Sequence, residues 1–305
     1  MRTTEERALA PSREAGSLLL VMPVGSTYDY EARDHIMGDY SAVTLGGRRD
    51  FATLKVERAL AALRALPPGS RVLDLGCGAG ATTRAIAAAR PDLRIWGCDF
   101  SHTAIAVARQ FGGSGYSVAD ATALPFASGS LDAVVSFDVL EHILDADACL
   151  AEVRRVLRPG GLLAATVPVE GQPGTFEWLR WRLGWHADLK AVARGHVQRF
   201  RNSSLRAILR RHGLTPVRWQ YSFHLLGQAW DFWYYYAEFR WGGMPGAPTA
   251  APATAIRRLR WGMLRAAFGP LQRLAYWESR LLSRISPAMA VDFACRKSRG
   301  RPPSA

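Results

Sequence analysis

The stretch VLDLGCGAG, residues 72–80, limits what this chain can fold into more than any other feature of its sequence. An apolar run that ends in a glycine-rich turn is typical of a buried strand leading into a helix. Gly76, Gly78 and Gly80 let the backbone approach a ligand closely and adopt positive φ angles. The N–H groups at the start of the next helix favour an anionic or nucleotide-like group. A tight turn without a ligand is the alternative interpretation.

Further apolar runs follow, and an acidic residue comes after three of them. An acid about 20 residues after the glycines can accept hydrogen bonds from ribose hydroxyls. Segment 156–161 ends a helix and leads into another strand. This alternation predicts an α/β fold with a doubly wound, mostly parallel sheet that binds its ligand at the carboxyl ends of the strands. The three runs with their acids are 95–98 with Asp99, the strand near 118 with Asp120, and 131–137 with Asp138.

Four segments together resemble the successive motifs of class I S-adenosylmethionine-dependent methyltransferases. These are VLDLGCGAG, CDFS at 98–101, ADATALPFASGSLDAVVSFDVLEHI at 119–143, and RVLRPGG at 155–161. The resemblance covers roughly residues 55 to 170. Within the class, the chain resembles the small-molecule, ubiquinone-biosynthesis type of these enzymes. A nicotinamide-dependent dehydrogenase would carry G-x-G-x-x-G, whereas the glycines here alternate as G-x-G-x-G after Asp74.

The resemblance implies that S-adenosylmethionine is the cofactor. In such a site Asp74 lies near the cofactor's ammonium group, Asp99 accepts from the ribose hydroxyls, and Asp120 accepts from the adenine amino group. A helix N-cap or a solvated loop carboxylate is the alternative role for each acid. The cofactor-binding residues that the resemblance implies are Asp74, Gly76, Cys77, Gly78, Gly80, Asp99, Phe100, Asp120, Ala121, Phe137 and Asp138.

Two histidines are candidates for a general base that would act on an acceptor hydroxyl. His142 follows the fourth strand, and His196 lies in the segment GHVQRF, which resembles the histidine segment of ubiquinone-biosynthesis O-methyltransferases. Either side chain could instead have a structural role, by capping a helix or bonding a loop carbonyl. Glu141 is a further candidate. No acid and histidine cluster stands out at ligand spacing along the chain, which argues against a metal site.

Charge and tryptophan are unevenly distributed along the chain. Residues 1–170 carry 17 basic and 20 acidic side chains, whereas residues 171–305 carry 22 basic and 6 acidic ones. Nine of the ten tryptophans also lie in the second part, between Trp178 and Trp277. Basic charge mixed with aromatic side chains suits either nucleic acid or an anionic membrane surface.

Segment 256–285 favours the membrane surface, because its apolar residues recur at helical spacing while its arginines fall largely on other faces. The pair Gly269-Pro270 predicts a kink or a division in this helix. The preceding segment 223–241 is apolar and aromatic nearly all round, so we expect it to be covered on most sides. Packing on the body of the protein, or on a second copy in a homodimer, is the alternative for both segments.

The domain organisation follows from these segments and from the resemblance. We expect an N-terminal extension over 1–54 that covers the cofactor, a core over 55–222, a helical insertion over 223–288, and an antiparallel last strand with a basic tail over 289–305. The four cysteines show no disulfide or metal spacing, which indicates reduced thiols in a cytoplasmic protein. Peripheral membrane association through 256–285 is a further expectation.

Three functions are compatible with the sequence, and the leading one is methylation of a small or lipid-like acceptor at oxygen. A nucleic-acid methyltransferase is permitted by the net charge of +13. It is disfavoured because the fourth strand is followed by FDVL rather than Asn/Asp-Pro-Pro-aromatic. A catalytically silent scaffold with the cofactor fold would be expected to have lost the glycines or the acids, which are all present.

Overall fold

A computed structural model describes residues 49–183, 195–241 and 255–299 of the chain. Most of the predicted N-terminal extension over 1–54 lies outside the described residues, and so does the end of the basic tail. The domain boundaries therefore stay predictions, while the core and most of the C-terminal half can be described directly.

The centre of the structure is a seven-stranded sheet with the order β3-β2-β1-β4-β5-β7-β6. All neighbouring pairs are parallel except those of β7, which runs antiparallel to both β5 and β6. This confirms the predicted doubly wound sheet with an antiparallel last strand. The strands are β1 Arg71–Leu75, β2 Arg94–Asp99, β3 Gly115–Val118, β4 Leu131–Phe137, β5 Leu157–Pro168, β6 Leu214–Ser222 and β7 Ala290–Lys297.

Eight α-helices connect and cover the strands in the part of the chain that the structure describes. Three of them begin after a side chain that accepts a hydrogen bond from an N–H three residues later, and these caps are Asp50, Ser101 and Asp145. The helices are α1 Phe51–Leu63, α2 Ala81–Ala89, α3 His102–Phe111, α4 Ala146–Val156, α5 Phe176–Arg182, α6 Asn202–Arg211, α7 Leu225–Trp241 and α8 Ala255–Leu281, with a 3₁₀ turn at Leu140–His142.

Apolar side chains fill both faces of the sheet. On one face, Leu73 and Val134 belong to a cluster with residues of α4 and α6. On the other face, Val72 and Val135 pack with residues of α1 and α2. Successive residues of a strand point to opposite faces, so a parallel strand covered on both sides must be apolar throughout. For this reason most residues of β1 and β4 are apolar, and the buried Asp74 of β1 is an exception that calls for an explanation.

The insertion between β6 and β7 consists of the helices α7 and α8. Its inner part packs against α1, where Phe51 stacks on Phe223 with ring centroids 3.6 Å apart and Tyr276 joins the same buried cluster. Helix α8 runs through Pro270 without interruption, so the alternative in which the Gly269-Pro270 pair divides it was wrong. No helix among the described residues is both long enough and apolar enough to cross a membrane.

A buried carboxylate on β7 connects elements from distant parts of the chain. Asp292 forms an ion pair with Arg58 of α1. It also accepts hydrogen bonds from the hydroxyls of Thr166 on β5, at 2.5 Å, and Ser222 on β6, at 2.8 Å. The Arg58 guanidinium in turn donates to the carbonyl of Ser279 in α8, at 2.9 Å. One carboxylate therefore links three strands to the helices on one side of the sheet.

Replacing Arg58 by methionine should be strongly destabilising, because it leaves the buried Asp292 carboxylate without its cation. We expect the free energy of unfolding to fall by about 3–5 kcal/mol, measured by urea denaturation. The control is Arg280→Met, which removes the exposed ion pair with Glu57, 3.1 Å away; this change should cost about 1 kcal/mol or less. Equal losses for the two variants would contradict the central role of the buried pair.

Candidate functional site

The candidate site lies along the edge of the sheet where the parallel strands end. Leu75 at the end of β1 is in register with Cys98 of β2 and Ser136 of β4. The residues that follow these positions therefore meet at one edge, as in other doubly wound sheets. Asp99 and Asp138 are brought to this edge, next to the loop that follows β1.

The glycine loop after β1 requires its glycines for two reasons. Gly76, Gly78 and Gly80 have φ angles of 74°, 52° and 77°, a conformation that side chains disfavour. A Cβ atom on Gly76 would lie 2.2 Å from a methyl of Val139, and one on Gly80 would lie 2.7 Å from the Tyr116 hydroxyl. The loop is therefore held against the segment after β4 and against β3, and its backbone forms the floor of a cradle.

The loop is also tied to β2 through its backbone. The N–H groups of Gly76 and Cys77 both donate to the carbonyl of Cys98, at 2.8 and 3.0 Å. The Cys77 side chain is buried, and burial raises the pKa of its thiol. Only the backbone of Cys77 is therefore suited to contact a ligand, as the family resemblance implied.

Asp74 lies beneath this loop and is completely buried. One of its carboxylate oxygens accepts from the hydroxyls of Thr82 and Thr83 at the start of α2, at 2.9 and 2.6 Å. The other oxygen has no hydrogen-bond partner among the described residues. Burial raises the pKa of this carboxyl to about 6, although the two hydroxyls act in the opposite direction. A buried oxygen in this state fits a cationic group, such as the ammonium of the implied cofactor.

Asp99 fixes the loop and also offers a carboxylate to a ligand. One oxygen accepts from the Gly78 N–H at 2.8 Å and the other from the Ser101 N–H at 2.9 Å. A carboxylate is also the acceptor that ribose hydroxyls would use in the site that the resemblance implies. The neighbouring Phe100 ring is 66% exposed, which leaves it accessible to a flat ring such as adenine. The residues at this edge thus fit S-adenosylmethionine.

The remaining cofactor candidates make ordinary loop or core contacts, which do not by themselves indicate a ligand. Asp120 is exposed, and one of its oxygens accepts from the N–H and the hydroxyl of Thr122, both at 2.8 Å. This is the local loop pattern that the sequence left open as an alternative. Ala121 is partly buried against the main core cluster, and Phe137 is partly buried against the cluster beneath α1. Their roles toward a cofactor stay predictions.

Asp138 has a partner that the sequence did not indicate. It adopts a φ angle of 54° and forms an ion pair with Lys55 from α1. Burial lowers the pKa of Lys55, but the Asp138 carboxylate outweighs this effect and the net pKa is raised. The lysine therefore stays charged beside the site. Nothing in the local pattern of α1 could have indicated this contact, because the two residues are 83 positions apart.

A buried cluster of acids and histidines follows directly after Asp138. Its members are the two predicted histidines, His142 and His196, whose ring centroids lie 4.8 Å apart, together with Glu141 and Glu170. Nδ1 of His142 lies 3.2 Å from the carbonyl of Gly195. Nδ1 of His196 lies 3.1 Å from a carboxylate oxygen of Glu170. Glu141 is fully buried, and neither of its carboxylate oxygens has a hydrogen-bond partner among the described residues.

The surroundings shift the pKa values in this cluster. Burial, together with the nearby Asp138 carboxylate, raises the pKa of Glu141 to about 8, although His196 and Lys55 act in the opposite direction. Burial and the neighbouring His196 lower the pKa of His142 to about 4. His142 is therefore neutral at neutral pH, with a ring nitrogen that can accept a proton or bind an ion.

The expectation that there is no metal site rested on spacing along the chain alone and did not take account of the fold. The chain shows no acid and histidine cluster at ligand spacing, yet the fold brings one ligand atom from each of Glu141, His142 and His196 within 4.8 Å of one another. The cluster was missed because His196 comes from a segment more than 50 residues beyond the other two. Glu170 was also missed, although its place shortly after the end of β5 puts it at the same edge of the sheet.

Comparison with known proteins supports the resemblance to methyltransferases. Residues 73–165 match a family model described as a methyltransferase domain. A demethylmenaquinone methyltransferase of Parafrankia sp. (strain EAN1pec) is 40% identical over 121 residues, which are 33% of this chain and 47% of that protein. An O-methyltransferase of Pyrenophora dematioidea is 38% identical over 104 residues, which are 32% of this chain and 39% of that protein.

A third relative acts on RNA. The tRNA (carboxymethyluridine(34)-5-O)-methyltransferase of Macaca fascicularis is 40% identical over 102 residues, which are 32% of this chain and 15% of that protein. This chain therefore spans less than half the length of the three curated relatives. Among solved structures, the geranyl diphosphate C-methyltransferase of Streptomyces coelicolor A3(2), in complex with Mg²⁺, geranyl diphosphate and S-adenosyl-L-homocysteine, is similar with a TM-score of 0.51 at 15% identity. The similarity covers 80% of both chains and shows the fold.

Replacing Asp74 by asparagine should stabilise the unliganded protein in a pH-dependent way. The folded-state pKa of about 6 lies above the unfolded value, so the wild type loses stability as the pH rises from about 4 to about 6. The variant does not titrate there, and above pH 6 it should be more stable by up to about 3 kcal/mol. Urea denaturation between pH 4 and pH 8 measures this difference.

Asp132→Asn is the matched control, with the opposite expected sign. Burial raises the pKa of Asp132, but hydrogen bonds from the Arg71 N–H and the Arg158 side chain outweigh it and leave the pKa lowered. This carboxylate therefore stabilises the fold above its unfolded pKa, and the asparagine variant should be less stable than the wild type at neutral pH. Curves of the same sign for both variants would contradict the assignment of Asp74.

Proposed function

Residues 73–165 form a class I S-adenosylmethionine-dependent methyltransferase domain, and from this premise we propose that the chain methylates a small or lipid-like acceptor at oxygen. The observation that carries the proposal is the buried Asp74 carboxylate, whose second oxygen has no partner among the described residues beneath the glycine loop. A fold that used this loop only as a turn would gain nothing from burying that oxygen.

Different residues at the sheet edge would bind different parts of S-adenosylmethionine. Asp74 attracts the ammonium group, Asp99 accepts from the ribose hydroxyls, and Phe100 covers the adenine. The glycine loop lets the backbone approach without a steric clash. Bound S-adenosylmethionine supplies a sulfonium methyl group, whose transfer breaks a C–S bond, forms a C–O bond and releases S-adenosylhomocysteine and one proton. Most of the rate gain then comes from alignment and exclusion of water.

The histidine cluster adjoins the proposed cofactor site, which supports it as the destination of the acceptor proton. Val139 contacts the glycine loop, and the cluster begins only two residues later, so the two sites adjoin. His142 is neutral at neutral pH, and a neutral imidazole can accept a proton from a hydroxyl. His196 has the Glu170 carboxylate beside it, which stabilises a positive charge on its ring. These two side chains are the proposed bases.

The acceptor class is proposed from the aromatic helices and from the relatives. Phe232 of α7 contacts Phe176 of α5 edge to face, with ring centroids 5.1 Å apart, and stacks with Tyr236. Trp233 and Tyr236 stay partly accessible, at 47% and 40% exposed. Such a wall suits an apolar, ring-containing acceptor. A demethylmenaquinone methyltransferase and an O-methyltransferase are among the relatives, which supports a lipid-like acceptor and an oxygen target.

A nucleic-acid acceptor is the second candidate. The basic C-terminal half and the tRNA-modifying relative favour it, although the matched part is only 15% of that relative. The sequence FDVL after β4 and the apolar wall on α7 disfavour it. Methyl transfer to total tRNA, without transfer to hydroxylated quinones, would replace the first candidate with this one. A protein that binds no cofactor would instead be a scaffold.

A membrane surface is the proposed partner of helix α8. The inner side of the helix packs on α1 through Ala275, Tyr276 and Ser279, so this part of the packing alternative holds. The exposed apolar residues of the segment are Ile256, Leu259, Met263, Leu274, Trp277, Leu281 and Ile285. The exposed arginines beside them are Arg260, Arg273, Arg280 and Arg284. Apolar side chains flanked by arginines suit anionic headgroups, from which a lipid-like acceptor could be drawn.

Replacing Asp99 should weaken cofactor binding without unfolding the protein. Loss of hydrogen bonds to two ribose hydroxyls is expected to cost about 1–3 kcal/mol, or roughly 5- to 150-fold in the dissociation constant. Calorimetric titration of Asp99→Ala with S-adenosylmethionine measures the change. Asp99→Asn, which keeps an acceptor for the Gly78 N–H, separates loss of the ribose contact from loss of the loop anchor.

Asp92→Ala is the control for this experiment. Asp92 precedes β2, at the opposite edge of the sheet, and is paired with Arg90 at 2.7 Å. Its removal should leave the cofactor affinity unchanged. An Asp99→Ala protein that stays folded and binds the cofactor as tightly as the control would remove Asp99 from the site.

The membrane proposal is tested on the exposed part of α8. The double variant Leu259→Glu and Met263→Glu should weaken sedimentation with vesicles of phosphatidylglycerol and phosphatidylcholine by about tenfold or more, because two apolar anchors are lost and two negative charges are added. The control is Leu144→Glu, since Leu144 is 81% exposed outside this segment. Equal sedimentation of all three proteins, with loss of self-association in the double variant, would favour the homodimer.

A further inference from the structure

The cluster after β4 has the composition of a metal site. One carboxylate oxygen of Glu141 and one ring nitrogen each of His142 and His196 lie within 4.8 Å of one another. Nε2 of His142 is 3.9 Å from the nearest oxygen of Glu141. Ligands of one ion usually lie closer than this, so shifts of about 1 Å in the side chains would bring the three atoms around a shared ion at 2.0–2.2 Å.

His142 is held in the way that metal-binding histidines usually are. Its Nδ1 atom is within hydrogen-bond distance of the Gly195 carbonyl, at 3.2 Å, which favours a proton there and leaves a lone pair on Nε2. Nδ1 of His196 lies 3.1 Å from the Glu170 carboxylate, a charge contact without the geometry of a hydrogen bond. For His142 Nε2 is therefore the nitrogen suited to bind an ion, and the Glu170 carboxylate favours the same arrangement in His196 electrostatically.

Glu141 provides an independent observation that points to a cation. Its side chain is fully buried, and neither carboxylate oxygen has a hydrogen-bond partner in the part of the chain that the structure describes. Burying a carboxyl group without hydrogen bonds is unfavourable whether it is ionised or protonated. Lys55, whose charge also acts on Glu141, is already paired with Asp138. A bound cation would remove this cost.

We propose that Glu141, His142 and His196 bind one divalent transition-metal ion, such as Zn²⁺ or Mn²⁺. Two imidazoles and one carboxylate suit these borderline ions better than Mg²⁺ or Ca²⁺, which prefer oxygen ligands. Three protein ligands leave at least one coordination position open, which is typical of catalytic rather than structural sites. Glu170 supports His196 from outside the coordination shell.

The role of the ion rests on the methyltransferase function proposed above, whereas its binding does not. A divalent ion that contacts an acceptor hydroxyl lowers the pKa of that hydroxyl. The O–H proton then passes to a solvent water, and the resulting oxyanion forms the C–O bond as the C–S bond breaks. With the ion bound, His142 and His196 would promote loss of the acceptor proton through the ion, and the role of bases proposed above applies to the site without an ion.

The test begins with metal binding alone. Tag-free protein is freed of metal with a chelator and titrated by calorimetry with Zn²⁺, Mn²⁺ and, for comparison, Mg²⁺. Elemental analysis after desalting gives the stoichiometry. We expect one Zn²⁺ or Mn²⁺ per chain and weaker binding of Mg²⁺. Absence of a bound ion, or several ions bound equally weakly, would overturn the proposal.

Variants assign the site to the three residues. Glu141→Gln and His196→Asn should each weaken binding by more than the roughly 10- to 100-fold expected for Glu170→Gln, because they remove ligands and not a supporting residue. His212→Asn is the matched control, since His212 contacts Asp147 at 2.8 Å away from the cluster. If His212→Asn weakens binding as much as Glu141→Gln does, or if neither ligand variant weakens it, the assignment is wrong.

Thermal denaturation keeps the test informative if a variant folds poorly. Without metal, Glu141→Gln should be about as stable as the wild type, because an amide of the same size replaces a buried carboxyl group that has no hydrogen bond within the described part of the chain. Added Zn²⁺ should raise the melting temperature of the wild type and leave that of the variant unchanged. Binding of the ion without binding of S-adenosylmethionine would overturn only the proposed function, whereas the reverse result would overturn only the metal site.

Discussion

The buried Asp292 carboxylate is the interaction on which the arrangement of the site depends. Through Arg58 it fixes α1 against the sheet, and the same helix carries Lys55 to Asp138 at the sheet edge. Through Thr166 it fixes the end of β5, shortly before Glu170. Because the buried ion pair is costly to desolvate, its main effect is to position the elements that it joins, and its net contribution to stability is small.

Much of the fold could be predicted from the sequence because the relevant signals are local. The run 131–137 coincides with β4, and the glycine loop adopts the positive φ angles that its composition requires. The predicted antiparallel last strand is β7, and the resemblance to class I methyltransferases is confirmed. In each case a few neighbouring residues determine the outcome, through alternation of strands and helices or through backbone freedom at glycine.

The features that escaped prediction depend on contacts between distant parts of the chain. Lys55 and Glu170 meet the site only because α1 begins and β5 ends at the same edge of the sheet, and neither lies in a recognisable motif. Two histidines were identified as candidates, but their spacing concealed that they would share a pocket with Glu141. A kink or a division of helix α8 was expected at Gly269-Pro270, and the division is absent because proline removes only one backbone hydrogen bond, a loss for which packing on α1 compensates.

The position of β7 between β5 and β6 also has a consequence for the order of folding. Among the described residues, β6 pairs only with β7, which is made after the two long helices of the insertion. Strand β6 therefore cannot join the rest of the sheet until Ala290–Lys297 have been synthesised. Until then the edges of β5 and β6 expose unpaired backbone groups. Contacts over such separations form slowly. During synthesis the Asp292 network is assembled last, so a chain stalled within the insertion would present two open strand edges to other molecules.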